Sequence, residues 1–286
     1  MKQKLILLIK PLVEYFPGVA ALYRSLRDQL DCMEMPKLTP WGFHFAGNPA
    51  MIEGTFEPVE TELVRNILQE VDVLVNVGAN IGYYCCHALS LGKSVIAFEP
   101  IYRNLCLLQK NINANNWDGV EIFPIALSDK AGILEIYGGD TGASILKGWA
   151  DISEAYKTNV PASTMNLVLN NRLEGKRALV IVDIEGAEKL MLEGAEEILA
   201  NKPKPIWLVE ITAHENQPEG VKINPNYVRT FEIFLKNGYD AFKVNDVFSP
   251  IHMDEIILIS TGVLQAGTHN FLFRERQSEI RSPSAA

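Results

Sequence analysis

The sequence is short of positive charge, and this shortage restricts the partners that it can have. It holds 26 Lys and Arg residues against 35 Asp and Glu residues, for a formal net charge of −9, and no run of basic residues offsets this balance. Proteins that bind nucleic acid need clustered Lys and Arg side chains to displace counterions from the phosphates. We therefore expect no nucleic-acid partner.

Long apolar runs are also absent. The apolar stretch near the N-terminus, Leu5–Ile9, is five residues long and ends at Lys10. A membrane-spanning helix needs roughly 18 apolar residues or more, and a signal peptide needs a longer apolar core with a small-residue cleavage site. We therefore predict no transmembrane segment and a cytoplasmic protein.

Cysteine is scarce, and its spacing matches no metal site. Of the four cysteines, Cys85 and Cys86 are adjacent, while Cys32 and Cys106 stand singly. No CxxC pair or Cys/His spacing typical of zinc sites is present. We expect buried free thiols and no zinc.

A strand followed by a glycine-containing loop organises what is present. Val73–Val77 is an apolar, β-branched run typical of a buried parallel strand. The loop Gly78-Ala79-Asn80-Ile81-Gly82 follows it, and a helix is predicted from Tyr83. Glycines allow the backbone to approach a ligand closely, and the helix directs free N–H groups at it. The pattern indicates a nucleotide-type cofactor site, although plain strand-to-helix connections also contain such turns.

Strands and helices alternate along the rest of the chain, which predicts an α/β fold with a mostly parallel, doubly wound sheet. A helical N-terminal segment over 1–31 and a hairpin within Leu38–Glu57 precede it. One helix is predicted to begin at Pro58, and another to follow Pro100 and end within Asn111–Asn116. Three more are predicted at Tyr83–Leu91, Glu188–Ala200 and Tyr227–Lys236. Further strands are predicted at Val95–Phe98, Val120–Ile125, Ile133–Tyr137, Ala178–Val182, Ile206–Ile211, Tyr239–Val244 and Phe271–Phe273.

Three predicted strands end in an acidic residue, namely Glu99, Asp183 and Glu210. Ligands of open α/β sheets bind at these carboxyl ends. Glu99 lies 21 residues after Gly78, a distance at which a carboxylate can accept hydrogen bonds from both ribose hydroxyls; a solvated acid is the simpler alternative. Asn80 and Tyr83 occupy the positions of the second and third dinucleotide-fingerprint glycines. The pattern therefore favours an adenosyl ligand without phosphate over NAD.

Several short blocks together resemble the signatures of a known family. They are Val77–Tyr83, Phe98–Pro100, Ala126–Asp129 and Asp183–Glu188, followed by Glu193–Ala195, Val209–Ile211 and Asn270–Phe273. In this order, over about Gly42 to Phe273, they resemble the FkbM-type S-adenosylmethionine-dependent methyltransferases. The resemblance implies the seven-stranded, Rossmann-like class I methyltransferase sheet, in which the last strand is antiparallel. It also implies methyl transfer, usually to a hydroxyl of a sugar or other small metabolite.

The same resemblance suggests boundaries for the parts of the chain. We expect a helical and hairpin extension over 1–56, a methyltransferase domain over 57–274, and a charged, disordered tail over 275–286. The N-terminal segment has alternative roles: it covers an edge of the domain, touches a membrane surface or forms a contact in a homo-oligomer.

The resemblance also implies roles for individual residues. Gly78, Ala79, Asn80 and Gly82, with Tyr83 after them, line the methionine and ribose part of the cofactor, Glu99 holds the ribose, and Ala126, Leu127 and Ser128 flank the adenine. Asp183 faces the cofactor's amino group or the acceptor hydroxyl. Asn76 stands where the family generally has an acid. Its amide brings no charge, and we expect weaker cofactor binding because charge-assisted hydrogen bonds are the stronger ones.

An alcohol that accepts a methyl group also loses a proton, so a base or a metal ion is expected near the acceptor. His214, just after Ile206–Ile211, is the first candidate base and His44 the second, although histidines in such loops are more often structural. Asp183 and Glu210 end neighbouring strands and are candidates to bind Mg²⁺ together. The alternative is that one acid binds the cofactor and the other the backbone.

The acceptor pocket is predicted at Gly138–Trp149, with Ser144 and Trp149, and at the hairpin around Trp41. Glu57 and Glu60 either reach the cofactor pocket or complement the dipole of the helix that they begin. The leading hypothesis is an O-methyltransferase acting on a hydroxyl of a small metabolite, a sugar or a glycan. The alternatives are an NAD-dependent oxidoreductase and a non-catalytic adenosyl-binding protein.

Overall fold

The computed structural model describes residues 17–139, 142–154 and 156–277. Its α-helices are α1 (Pro17–Cys32), α2 (Pro49–Glu53), α3 (Pro58–Glu70), α4 (Tyr83–Ser90), α5 (Tyr102–Asn113), α6 (Met165–Leu169), α7 (Glu188–Glu193), α8 (Glu196–Ala200), α9 (Tyr227–Lys236) and α10 (Met253–Ser260). Its strands are β1 (Lys37–Leu38), β2 (His44–Phe45), β3 (Val73–Val77), β4 (Ser94–Phe98), β5 (Val120–Phe123), β6 (Ala126–Leu127), β7 (Gly132–Tyr137), β8 (Lys157–Ser163), β9 (Ala178–Val182), β10 (Ile206–Glu210), β11 (Tyr239–Lys243), β12 (Asp246–Ile251) and β13 (Asn270–Glu275). Short 3₁₀ helices occupy Trp149–Asp151 and Asn170–Leu173.

The central sheet has the strand order β12-β11-β13-β10-β9-β3-β4-β5. Strands β5, β4, β3, β9 and β10 are parallel neighbours, and β13 runs antiparallel between β10 and β11. This order confirms the predicted Rossmann-like sheet with an antiparallel last strand. An eighth strand, β12, pairs antiparallel with β11 and extends the edge. It was not predicted from the sequence.

Apolar residues cover both faces of the sheet. On β3, Val73, Val75 and Val77 join one buried cluster, while Leu74 joins another. Every residue of β3 and of β9 is buried, as expected for parallel strands that are covered on both sides. Successive side chains of β3 therefore point alternately to the two layers of helices that cover the sheet.

A smaller sheet with the order β6-β8-β7 lies beside the carboxyl edge of the central sheet. Ile136, Val160 and Ala162 from this sheet pack with Ile101, which follows β4, and with Ala126 of β6. Residues 133–137 therefore form a strand, as predicted, but they pair with 157–161 rather than with the central sheet. Strand β8 itself was not predicted because its sequence is polar and contains Pro161.

The N-terminal hairpin is held by two asparagine side chains, one in helix α5 and one just after its end. Strands β1 and β2 pair antiparallel, as predicted. The Asn115 side chain accepts the N–H of His44 at 2.7 Å and donates to its carbonyl at 2.8 Å. The Asn111 side chain bonds both backbone groups of Ala46, at 2.7 and 3.1 Å. The asparagine-rich segment therefore fixes the backbone of the extension to the domain.

Helix α1 lies within the predicted helical segment, and 1–16 fall outside the described residues. Arg103 of α5 binds Asp31 of α1 at 2.7 Å, so α1 lies along the domain, while Leu22 and Leu26 are exposed. At the other end, β13 continues to Glu275, and the Arg276 N–H donates to the carbonyl of Gly238. The rest of the predicted tail, 278–286, also falls outside the described residues.

The predicted helix Glu188–Ala200 is two short helices, α7 and α8, separated at Gly194. A Cβ on Gly194 would lie 2.1 Å from the carbonyl oxygen of Ser128, so the chain passes too close to that carbonyl for any side chain. Among the described helices, none combines the length and apolar character that crossing a membrane demands. All four cysteines are free; Cys85 and Cys86 are buried and the other two are partly buried.

We expect Gly78→Ala to destabilise the fold more than Gly92→Ala. Both glycines have positive φ, +78° and +70°, so each added side chain strains the backbone by a similar amount, about 1–2 kcal/mol. A Cβ at Gly78 would also lie 1.8 Å from the carbonyl oxygen of Asp183, whereas nothing lies within 4 Å at Gly92. The excess at Gly78 should reach about 2 kcal/mol or more in urea unfolding. Equal destabilisation would contradict this close approach.

Candidate active site

The loop after β3 is held between the ends of its two neighbouring strands. The N–H groups of Gly78 and Ala79 donate to the carbonyl of Phe98, at 3.0 and 2.9 Å. On the other side the Asp183 N–H donates to the carbonyl of Val77 at 3.0 Å. These bonds bring the glycine loop, the end of β4 and the end of β9 together at the carboxyl edge.

Glu99 is buried against this loop, with both carboxylate oxygens engaged. Its Oε2 accepts the Asn80 N–H at 2.7 Å, and its Oε1 accepts the Ile101 N–H at 2.8 Å and the Asn104 amide at 3.5 Å. Burial raises the pKa of Glu99 to about 7, although these hydrogen bonds oppose the shift. A carboxylate oxygen can accept more than one hydrogen bond, so Glu99 can still bind a ligand hydroxyl.

A cavity of about 60 Å³ opens beside Glu99. Six predicted cofactor residues line it: Gly78, Asn80, Glu99, Ala126, Leu127 and Asp183. The facing wall includes Ile136 of β7 and Ala143 and Ile145 of the following segment. Ligand pockets commonly measure at least about 300 Å³. A ligand of nucleoside size therefore requires the facing wall to draw back.

Asn80 supplies a polar atom that has no partner in this cavity wall. Its backbone has a positive φ of 50°, and its side-chain Oδ1 is buried without a hydrogen-bond partner among the described residues. A buried polar atom without a partner is unfavourable by about 1–3 kcal/mol. Its position beside the cavity indicates that a ligand or a water molecule pairs with it.

Other predicted cofactor residues do not line the cavity. Asn76 lies on the same face of β3 as Leu74, and its amide donates to the Cys85 thiol at 3.5 Å. Tyr83 packs edge-on against Phe45 in an aromatic cluster around helix α4. The missing charge at Asn76 therefore faces a helix rather than the cavity.

Three more of these predicted residues have packing roles. Ala79 is buried, and its N–H donates to the carbonyl of Phe98. A Cβ on Gly82 would lie 2.3 Å from Leu108 Cδ1, so this glycine allows α4 to approach α5. Ser128 is buried; its hydroxyl donates to Asp129 and its N–H to the Ser163 carbonyl.

Carboxyl groups concentrate at the centre of this edge. Asp183 is accessible within the cavity, but the surrounding protein and the charges of Glu210, Glu185 and Glu57 raise its pKa well above the ordinary value. Burial and the neighbouring acids raise the pKa of Glu210 to about 8. The buried Glu188 accepts the Gly186 N–H at 2.8 Å, and burial raises its pKa to about 7. Glu57 and Asp183 thus share one electrostatic environment.

These acids do not form a recognisable metal centre. No group of three or more His, Cys, Asp or Glu side chains within the described ranges is arranged to hold a metal ion. Asp183 and Glu210 follow paired residues of β9 and β10, Val182 and Val209, which places the two acids side by side. The charge of Glu210 adds to the effect of burial in raising the pKa of Asp183.

The segment predicted as the acceptor pocket instead packs onto Glu185. The Ser144 hydroxyl donates to the Glu185 carbonyl at 2.5 Å, and Trp149 Nε1 donates to Glu185 Oε2 at 2.7 Å. Trp149 and Ser144 are both buried. Trp41 stacks edge-on against His87 and lies under the Arg65 guanidinium. This segment therefore covers the first cavity, and the hairpin aromatics form a packed cluster.

The two predicted bases lie elsewhere. His214 has both ring nitrogens near backbone carbonyls, Nδ1 at 3.2 Å from Lys222 and Nε2 at 3.0 Å from Ile259. A base needs a free nitrogen lone pair directed at the acceptor, and neither nitrogen is placed for this. His44 lies in the hairpin that Asn115 holds and lines neither described cavity.

His214 instead lines a second, larger cavity of about 610 Å³ beyond β10. We call it the C-terminal cavity; its wall includes Glu60, Tyr227, Thr268 and Asn270. Glu60 of α3 accepts the Asn270 amide at 3.3 Å. Of the two acids that begin α3, Glu57 faces the carboxyl groups, where its Oε2 accepts the Tyr84 hydroxyl at 2.7 Å, and Glu60 faces this second cavity.

Comparison with known proteins identifies the family of this chain. A family model described as the methyltransferase FkbM domain matches residues 76–241. The match covers more than half of the chain and contains the glycine loop after β3 and the strands β4, β9 and β10 with the acids at their ends, Glu99, Asp183 and Glu210. The chain belongs to the FkbM methyltransferase family. This result confirms the resemblance seen in the sequence, and it makes the protein an S-adenosylmethionine-dependent methyltransferase.

Solved structures of other methyltransferases resemble this FkbM protein only distantly. A precorrin-6y C5,15-methyltransferase from Geobacter metallireducens is 10% identical, with a TM-score of 0.39 over 69% of this chain and 78% of its own. Fibrillarin from Aeropyrum pernix, with natively bound S-adenosyl-L-methionine, is 11% identical, with a TM-score of 0.37 over 74% and 73%. An rRNA methylase from Streptococcus thermophilus is 13% identical, with a TM-score of 0.38 over 76% and 96%. Curated proteins gave no sequence match. The fold assignment therefore rests on the strand order and the family.

The residues of the first cavity fit the cofactor of an FkbM methyltransferase. Glu99 offers acceptor oxygens for ribose hydroxyls, and the unpaired Oδ1 of Asn80 offers another beside them. Ala126 and Leu127 give an apolar wall suited to adenine. The chain therefore holds matching groups for ribose and base in one cavity.

Sequence reasoning missed three contributors to this site. Asn104, one turn into α5, and Ile101 bind Glu99, and their closeness to Glu99 in sequence was the available signal. Glu185 anchors Trp149 across the cavity. The closeness of Asp183 and Glu185 in the sequence indicated that several acids would share the site. No sequence pattern indicated that Glu185 would bind the segment that contains Trp149.

We expect the unfolding temperature of the free protein to fall from about pH 5.5 to about pH 8.5. The pKa values of Glu99 and Glu188, about 7, and of Glu210, about 8, lie above their ordinary value of 4.5. The folded state therefore binds these protons more tightly than the unfolded chain, and this stabilisation is lost as pH rises through 7 to 8. The fall should be on the order of 5 °C.

Differential scanning fluorimetry across this pH range measures the effect. Glu210→Gln should flatten the fall because it removes the carboxyl whose pKa is raised to about 8. Glu193→Gln is the matched control, since Glu193 is exposed and pairs with Lys189 at 2.8 Å. Parallel curves for wild type and Glu210→Gln would show that Glu210 ionises normally.

Proposed function

We propose that this FkbM methyltransferase methylates a hydroxyl oxygen of a small polar metabolite, a sugar or a glycan. The observation that carries the proposal is the pair Asp183 and Glu210 beside the glycine loop: burial and neighbouring acids raise the pKa of both, that of Glu210 to about 8. An alcohol must give up a proton as it is methylated, and a base works best with a pKa near the working pH. A carboxyl with a raised pKa meets this condition.

The charge of the site supports a cationic donor. S-adenosylmethionine, when bound, supplies an activated methyl group on a sulfonium sulfur and carries one net positive charge. The charges of Glu57 and Glu185 lie close enough to raise the pKa of both Asp183 and Glu210, and the charge of Glu210 raises the pKa of Asp183. A cation placed among ionised carboxylates is stabilised. These acids therefore favour the charged donor over its neutral product.

Individual roles follow from the positions in the first cavity. Glu99 accepts hydrogen bonds from the ribose, and Asn80 pairs through its free Oδ1. Ala126 and Leu127 contact the adenine. Asp183 holds the acceptor hydroxyl and removes its proton, with Glu210 beside it to share the charge. Mg²⁺ remains a further proposal for this pair of acids, which would keep several waters on the ion.

The oxidoreductase alternative has no support in this arrangement. At the position of the third fingerprint glycine, Tyr83 is buried in an aromatic cluster, and the family is one of methyltransferases. The non-catalytic alternative makes a separate prediction, namely cofactor binding without methyl transfer to any acceptor. Calorimetry with S-adenosylhomocysteine and with NAD separates the two cofactor classes.

We expect Glu99→Gln to weaken S-adenosylhomocysteine binding by about tenfold or more, because a charge-assisted hydrogen bond to ribose is lost. The wild type should also bind S-adenosylhomocysteine more tightly than its 2′-deoxy analogue. Glu99→Gln should bind the two ligands alike, because the preference depends on the carboxylate. Isothermal titration calorimetry gives all four affinities.

Glu121→Gln is the matched control for this cycle. Glu121 lies on β5 and binds Arg172 at 2.9 Å on the surface, so its variant should keep both affinities. If Glu99→Gln weakens both ligands by the same factor, Glu99 orders the loop without contacting ribose, and its proposed role is wrong.

We expect Asp183→Asn to lower kcat by about a hundredfold or more, because the general base is removed. S-adenosylhomocysteine should still bind within a few-fold of the wild type. Methyl transfer is measured by mass spectrometry on a set of neutral methyl glycosides. Asp118→Asn changes an exposed acid between α5 and β5 and should leave kcat unchanged. An unchanged kcat in Asp183→Asn would contradict the assignment of the base.

A further inference from the structure

The C-terminal cavity lies on the same edge of the sheet as the first cavity and has the size of a ligand site. Its volume of about 610 Å³ falls within the range of roughly 300–1,000 Å³ seen for small-molecule pockets. The first cavity measures about 60 Å³. The larger cavity is therefore the better candidate for a second reactant.

A buried hydroxyl in its wall lacks a partner. Tyr227 lines the C-terminal cavity and is 0% exposed, and its Oη has no hydrogen-bond partner among the described residues. Tyr239, equally buried, accepts the Trp207 Nε1–H and donates to the Leu199 carbonyl, both at 3.2 Å. Buried tyrosine hydroxyls normally find such partners. The fold therefore leaves the hydroxyl of Tyr227, a residue of the cavity wall, unpaired and able to bind a polar molecule that reaches it.

The strand register connects this cavity to the proposed base. Glu210 of β10 pairs with Asn270 of β13, and Asn270 lines the C-terminal cavity. On the other side of β10, Glu210 stands beside Asp183, which lines the first cavity. Glu60 also lines the C-terminal cavity, and its charge acts on Glu210. The two cavities therefore flank one pair of carboxyl groups.

The polar groups of the wall indicate the class of molecule. Glu60 and Glu215 accept hydrogen bonds, while Gln265, Thr268 and Asn270 both donate and accept. None of the described residues that line this cavity is Lys or Arg. The two histidines of the wall are already engaged, His214 by the carbonyls of Lys222 and Ile259 and His269 by Glu215 at 3.8 Å. An acidic or phosphorylated molecule would therefore meet the carboxylates of Glu60 and Glu215 without a Lys or Arg to compensate, which is unfavourable. A neutral molecule with several hydroxyls matches this wall.

We propose that the C-terminal cavity is the acceptor site, and that it holds a neutral polyhydroxylated acceptor with one hydroxyl directed at Asp183 and Glu210. The proposal rests on the O-methyltransferase function proposed above. In the reaction the acceptor oxygen forms a bond to the methyl carbon, the bond from that carbon to the sulfonium sulfur breaks, and the hydroxyl proton passes to the carboxylate pair. Tyr227 positions the acceptor through a hydroxyl that the fold leaves unpaired.

Tyr227→Phe tests the site because it removes only the unpaired hydroxyl. Binding of methyl α-glucoside, α-mannoside, α-galactoside and α-rhamnoside is measured by saturation-transfer NMR with S-adenosylhomocysteine present, with glucose 6-phosphate as the anionic comparison. We expect at least one neutral glycoside to bind, glucose 6-phosphate not to bind, and Tyr227→Phe to weaken the glycoside by about fivefold or more. Its unfolding temperature should be unchanged or higher, since no protein hydrogen bond is lost.

Tyr239→Phe is the matched control because it makes the same change far from the cavity. Its hydroxyl has two protein partners, so the variant should lower the unfolding temperature and leave glycoside binding unchanged. The two variants therefore have opposite expected effects on stability and on binding. Equal glycoside affinity in wild type and Tyr227→Phe, stronger binding of glucose 6-phosphate, or no glycoside binding would each overturn the proposal.

Failure of the acceptor site and failure of the proposed function give different results. If glycosides are methylated but Tyr227→Phe leaves their KM unchanged, O-methylation stands and the C-terminal cavity is not the acceptor site. If Tyr227→Phe weakens glycoside binding but no methyl transfer occurs, the cavity binds saccharides and the proposed chemistry is wrong. A raised KM with a nearly unchanged kcat supports both.

Discussion

The close approach of Gly78 to the carbonyl oxygen of Asp183 is the constraint on which the rest of the site depends. No side chain fits between the loop after β3 and the end of β9, so the two strand ends meet directly. The glycine loop, also bonded to Phe98, then presents the Asn80 N–H to Glu99. One backbone contact therefore sets the positions of two acids, Glu99 and Asp183, on opposite sides of a single turn.

The acidic side chains at the carboxyl edge of the sheet are in an environment that disfavours their charged forms and so lowers the stability of the folded state. Glu57, Asp183, Glu185, Glu188 and Glu210 all have raised pKa values because burial disfavours their charged forms, and neighbouring carboxylates add to the effect for all of them except Glu185. The two buried cores on either face of the sheet supply the stability that tolerates this. A cationic ligand placed among these carboxyl groups would relieve the repulsion.

Much of the central fold was predictable because apolar strands and glycine loops are local signals. The strand Val73–Val77 and the acids at the ends of β4, β9 and β10 were found this way, and the observed strand order confirmed the sheet. The small sheet was not found, because β8 is polar and gains its order from pairing with β7.

Within the site, Gly78, Asn80, Glu99, Ala126, Leu127 and Asp183 share one cavity as expected. Asn76 and His214 do not, because strand alternation and the carbonyls of Lys222 and Ile259 direct their side chains elsewhere. A motif identifies the loop that bears a residue but not the direction of each side chain.

The hydrogen bonds from the Asn111 and Asn115 side chains to the hairpin backbone affect which substitutions the N-terminal extension can tolerate. Both side chains grip main-chain atoms of the extension, at His44 and Ala46. Recognition of the main chain is indifferent to which side chains the gripped segment carries. Outside the aromatic cluster, the extension is therefore free to change its surface residues without losing its anchorage. We therefore expect the exposed residues of the hairpin to tolerate substitution, while Phe43 and Phe45, which are buried against the domain, should not.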